Sequence, residues 1–89
     1  MNNTLFVCDT HEQAKHKFNQ FKDTLTTNQN LRVDTKNMIV ELDNYRYEFI
    51  GLGPGLLNKV LGKEYSSVFI SEFATEEQVM LLKTRERKQ

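Results

Sequence analysis

The stretch from Tyr65 to Phe73 constrains the fold more than any other part of the chain. Val68–Phe69–Ile70 is a continuous apolar run with β-branched and aromatic members, set between serines and followed by Ser71–Glu72. Such a run, with no polar alternation, fits a strand covered on both faces, which requires helices on either side of a sheet. Shortly after it, Thr75–Glu76–Glu77–Gln78 has the S/T-x-x-E/Q form of a capping box. A helix is therefore expected to start there, with Val79, Leu82 and Leu81 as its buried side. Tyr65–Phe73 is expected to be the central strand, and the rest of the chain its cover.

The amino-terminal part repeats this grammar. Leu5–Phe6–Val7–Cys8 is a second short apolar run, stopped by Asp9–Thr10, and Thr10–His11–Glu12–Gln13 is a second capping box. Ala14, Phe18, Phe21 and Leu25 then recur at helical spacing on one stripe, while Lys15, Lys17, Gln20 and Lys22 stay outside it. The polar group Thr26–Thr27–Asn28–Gln29–Asn30 ends that helix, and Leu31–Arg32–Val33 reads as a short strand. From Met38 to Ile50 a hairpin is expected about a turn at Asp43–Asn44. That register sets Leu42 against Tyr45, Val40 against Tyr47 and Met38 against Phe49 on one apolar side, and Glu41 against Arg46 on the other. Gly51–Leu52–Gly53–Pro54–Gly55 is the breaker cluster, followed by a short helix from Leu56 to Leu61 that Gly62 stops. The expected fold is a small two- or three-layer α/β domain in the order β-α-β-(β-hairpin)-α-β-α. Its sheet is mixed, with a parallel central pair formed by the first and last strong strands.

Length and charge bound the function. Residues 1–89 have room for a single domain, with 83–89 a basic tail expected to fray. A chain of this size buries only roughly 60–65% of its unfolded surface, so its stability margin is small and a homodimer is a natural expectation. Lys plus Arg and Asp plus Glu both number 12, so no global field draws the molecule to nucleic acid or to an acidic membrane surface. The single cysteine, Cys8, has no internal disulfide partner and reads as a buried thiol in a reducing compartment. Met1–Asn2–Asn3–Thr4 carries no basic region, and the apolar run after it is too short for a signal peptide or a membrane span. The expected location is the cytoplasm, the host's if the protein is viral.

Taken together, these segments resemble the ATPase core of phage terminase large subunits and, more loosely, of helicase motors. That family runs strand, Pro-Thr-like turn and a helix with Gln-Ala, which residues Leu5 to Ala14 resemble. It continues through a hairpin with an aromatic strand and Gly-Leu, similar to Asp43 to Leu52, and a Leu-x-Gly stretch before the Walker B strand, similar to Val60 to Glu72. The departures fall on the chemistry. Walker B strands end in Asp-Glu, the Asp holding the magnesium shell and the Glu positioning water, and this chain has Ser71 and Glu72 there. Serine is a weak neutral ligand, and the chain contains no G-x-x-x-x-G-K-[ST] phosphate cradle. The resemblance implies a phage-encoded scaffold without the motor's chemical parts, and no cofactor is expected.

Candidate sites follow from this reading. Glu72 is the catalytic candidate only if the chain supplies part of an ATPase site completed by another chain; otherwise it is a loop acid. Gly51, Gly53 and Gly55 lack dinucleotide-loop spacing and read as a turn. His11 and His16, five apart on a helix, do not share a face and make no metal site with Cys8. Thr10, Lys83, Arg85, Arg87 and Lys88 are the candidate nucleic-acid contacts, with Thr10 also explained by its capping box. Tyr45, Tyr47 and Phe49 form an aromatic face expected to stay partly uncovered and to serve as an interface. The leading expectation is a non-catalytic protein, not an enzyme, that binds another protein or itself. A nucleic-acid accessory role is the further alternative.

Overall fold

The computed structural model of the chain describes residues 2–25, 30–53 and 55–86, and of Leu57 the backbone only. The elements are β1 (Asn2–Cys8), α1 (His11–Thr24), β2 (Leu31–Asp34), β3 (Ile39–Leu42), β4 (Tyr45–Gly51), α2 (Leu56–Val60), β5 (Ser67–Ile70) and α3 (Glu76–Lys83). They form a mixed five-stranded sheet in the order β2-β3-β4-β1-β5. β1 runs parallel to β4 on one side and to β5 on the other, while β2, β3 and β4 are antiparallel neighbours. The α/β class, the element order and the parallel pairing of first and last strands are as expected.

The centre of the sheet is not where the apolar run placed it. β5 is an edge strand; β3, β4 and β1 are each paired on both sides, and of these β1 has parallel neighbours on both edges. The alternation along β1 explains its position. Leu5 and Val7 join Ile50, Leu56, Val60, Val68 and Leu82 in one core. Phe6 and Cys8 point the other way, into a second core built on Ala14, Phe18, Met38, Val40 and Phe49. Apolar on both faces, β1 needs a helix layer on each side, so the domain has three layers. α1 lies over β4, β1 and β3; α2 and α3 close the opposite face.

Local chemistry sets the boundaries. Thr10 accepts the Gln13 N–H at 3.1 Å to start α1, and at α3 both halves of the capping box form between Thr75 and Gln78. The hairpin has the register read from sequence, with Val40 opposite Tyr47, Glu41 opposite Arg46 and Leu42 opposite Tyr45. Asp43 takes a left-handed φ of 54° to make its turn. Lys83 closes α3, and residues 87–89 of the expected tail lie outside the described residues. The Tyr65 N–H donates to the Arg85 carbonyl at 2.8 Å and the Val68 N–H to the Glu86 carboxylate at 2.9 Å, which covers part of the β5 edge.

β4 and α1 meet at Gly51. A Cβ there would collide with the backbone of Thr10 and His11, so only glycine lets the end of β4 lie against the start of α1. Gly51→Ala is expected to destabilise the fold by about 2 kcal/mol or more through backbone overpacking. Urea unfolding checks this; a midpoint equal to that of the native sequence would contradict it.

Candidate functional site

The crossovers out of β1 and β5 leave on opposite faces of the sheet. β1 leads to α1 on one face and β5 to α3 on the other, so the two adjacent carboxyl ends form a topological switch point. Open α/β sheets place their ligands at such a point. Here it is a cleft of about 400 Å³ beside α1, lined by Phe6, Asp9, Gln13, Lys17, Phe69 and Ser71 among others.

The polar corner of the cleft binds itself. The Ser71 hydroxyl donates to the Asp9 carboxylate, and the same oxygen accepts the Phe73 N–H at 3.1 Å. The Ala74 N–H reaches the Ser71 carbonyl at 3.1 Å, and the Ser71 N–H reaches the Val7 carbonyl at 2.9 Å. Ser71 is thus the hinge of a tight turn that locks the end of β5 to the end of β1. Glu72, one residue on, is exposed to solvent. The apolar wall is a ladder of rings. Phe69 stacks on Phe6 at 5.2 Å and Phe6 on Phe49 at 5.0 Å, each with 12° between planes. Lys17 holds its ammonium 5.4 Å from the Phe6 ring centre. α1 covers the inner rungs only, and Phe69, read from sequence as core, is 58% exposed. Burial raises the Cys8 thiol above its ordinary range, with Lys17 opposing, so at neutral pH it holds its proton.

The other candidates are dispersed. Phe49 is fully buried under Phe18 and Phe21, Tyr47 packs on Phe21 at 4.7 Å and is half-buried, and Tyr45 is 49% exposed. Part of the Tyr45–Tyr47–Phe49 face thus stays uncovered, at Tyr45 and Tyr47, while the aromatic bulk of α1 closes over Phe49. Thr10 is spent on capping α1. Lys83 lies 3.8 Å from Glu86, Arg85 gives its carbonyl to Tyr65, and Arg87 and Lys88 fall outside the described residues. His16 lines the switch-point cleft while His11 lines a different groove, as their spacing requires. Among the described residues no three His, Cys, Asp or Glu side chains converge as a metal site. Gly55 stands at the start of α2 in a left-handed conformation.

One buried group was not legible in the sequence. Glu48, 7% exposed, accepts the Tyr65 hydroxyl at 2.8 Å and the Lys63 ammonium at 3.1 Å. These bonds tie the segment between α2 and β5 to β4. No family model, curated protein or solved structure matches the chain.

Burial, then the bond to Glu48, raises the Tyr65 phenol well above its ordinary value of about 10. The fold therefore favours the protonated phenol. This contribution to stability is complete below about pH 10 and is lost as pH rises through the folded value, because the unfolded chain ionises first. In an alkaline titration followed by tyrosinate absorbance, Tyr65 is expected to stay protonated until circular dichroism reports unfolding. Ionisation of Tyr65 at its ordinary value in native protein would contradict this, with Tyr65→Phe serving to assign the step.

Proposed function

We propose that the chain is a small non-catalytic binding protein, phage-encoded and acting in the host cytoplasm. On this reading its terminase-like scaffold is kept for its surfaces. The observation that carries the reading is Phe69. An aromatic ring at the end of a stacked ladder, on an edge strand that α1 leaves bare, is a large apolar area beside a formed cleft. The occupant that fits is a helix of another protein, lying beside α1 at the usual interaxial distance of about 8–10 Å and completing that layer over β5. Lys17, His16, Gln13 and Gln20 line the α1 side of the cleft, so acidic and hydrogen-bonding positions on the incoming helix are favoured. Support for a non-catalytic role comes from Ser71: at the position where the motor family holds metal, its hydroxyl is committed to Asp9 and to the turn.

No helix among the described residues is long and apolar enough to cross a membrane. Phe69→Asp alters an exposed side chain and is expected to leave the fold intact. Crosslinking in phage-infected host cells followed by mass spectrometry is expected to find one defined protein joined to the native sequence and absent with Phe69→Asp. Absence of any protein whose capture depends on Phe69 would overturn the docking reading. ATP hydrolysis above that of a Glu72→Ala control would overturn the non-catalytic one.

A further inference from the structure

The carboxyl end of the parallel strands carries opposite charges on its two halves. On the β5 half, the turn after the strand presents Glu72, and the first turn of α3 presents Glu76 and Glu77, all exposed. Phe73 stands among them with 69% of its surface exposed. The turn is not loose, because Ser71 fixes it through Asp9 and the Phe73 N–H. The segment is therefore a rigid acidic knob with an aromatic tip.

Across β1, on the β3 half, lies a groove of about 500 Å³. Its lining reaches that end of the sheet at His11, Lys36 and Lys59 and extends along β4 to Arg46, beside the amino end. The Phe49 N–H bonds the Met38 carbonyl at 3.0 Å, which places the β2–β3 turn with Lys36 beside the carboxyl end of β4. α2, which starts from that end, contributes Lys59 to the same groove. The groove has Lys36, Arg46, Lys59 and Lys63 against the one carboxylate of Glu48, with Ile39 in the lining. Glu48 is matched by Lys63, and Arg46 has Glu41 at 3.8 Å. Lys36, which also faces Asp34, and Lys59 therefore carry the free positive charge.

We propose that this groove receives the Glu72–Glu77 knob of a second copy of the chain. The proposal rests on the reading of this protein as a binding protein, and it uses a surface separate from the Phe69 cleft. Charge complementarity selects the occupant: the knob offers the exposed carboxylates of Glu72, Glu76 and Glu77 to the exposed ammonium groups of Lys36 and Lys59. Symmetry selects the arrangement. The knob and the part of the groove with Lys36 and Lys59 share one end of the sheet and lie on opposite sides of β1, so a two-fold axis normal to the sheet brings each knob to the other copy's groove. Both contacts form at once and the pair closes, with no exposed end to propagate.

Sedimentation equilibrium of the full chain at low and high salt tests this. The native sequence is expected to be dimeric at low salt and to dissociate as salt screens the contacts. Glu72→Lys with Glu76→Lys, or Lys36→Glu with Lys59→Glu, is expected to weaken the dimer roughly tenfold or more. These changes are at exposed positions, and circular dichroism confirms that each variant is folded. An equimolar mixture of the two reversed variants is expected to restore the dimer, because both contacts are then attractive again. A native protein that stays monomeric at low salt, a dimer indifferent to both reversals, or a mixture that fails to recover would overturn the proposal. A native protein that is monomeric at low salt yet keeps its Phe69-dependent crosslink would remove this inference and leave the function proposed above standing.

Discussion

Parallel pairing of β1 on both of its edges is the constraint from which the remaining features follow. A parallel neighbour cannot be reached by a tight turn, so each one demands a crossover long enough to carry a helix. The two crossovers, β1 to β4 and β4 to β5, run in opposite directions across the sheet, and with the same hand they must lie on opposite faces. That places α1 on one side and α2 on the other, makes both faces of β1 apolar, and opens a cleft where the connections part at Asp9 and Ser71.

A chain of this length has too few helices to finish all the layers it begins. α1 is spent on β4, β1 and β3, where Phe18 and Phe21 close over Phe49 and Phe21 packs on Tyr47. Nothing remains in the described chain for the same face of β5, and Phe69 stays open as the last ring of the ladder. The edge of that strand is treated differently. Glu86 takes up the Val68 N–H and Arg85 the Tyr65 N–H just before the strand, which covers part of the edge while leaving the aromatic face free. Edge partly covered and face exposed is an arrangement suited to specific docking by side chains.

Local signals were legible and sums over the chain were not. Thr10 and Thr75 marked helix starts because a cap is decided within one turn. The hairpin register was readable because the turn at Asp43, the apolar side and the Glu41–Arg46 pair all specify the same alignment. The Val68–Phe69–Ile70 run, by contrast, reads as a strand covered on both faces, whereas β5 has one face open; strand order depends on where crossovers land, which no window of sequence contains. Burial of Phe49 and exposure of Phe69 are two results of one allocation, the placement of α1, and the stripe on α1 does not name the strands it will cover. Glu48 escaped notice for a related reason: its partners Lys63 and Tyr65 lie 15 and 17 residues away and meet it only in the folded chain.

The account stands on β1 being an interior strand with parallel neighbours on both edges and β5 the open edge beside it, and native-state hydrogen exchange measures that directly. Amides of β1, bonded on both sides and beneath two layers, are predicted to exchange only through global unfolding, and those of β5 to open through smaller fluctuations at lower free energy. Equal or greater protection across residues 67–70 than across residues 4–8 would return the centre to the Tyr65–Phe73 stretch and remove the open face on which the function proposed here depends.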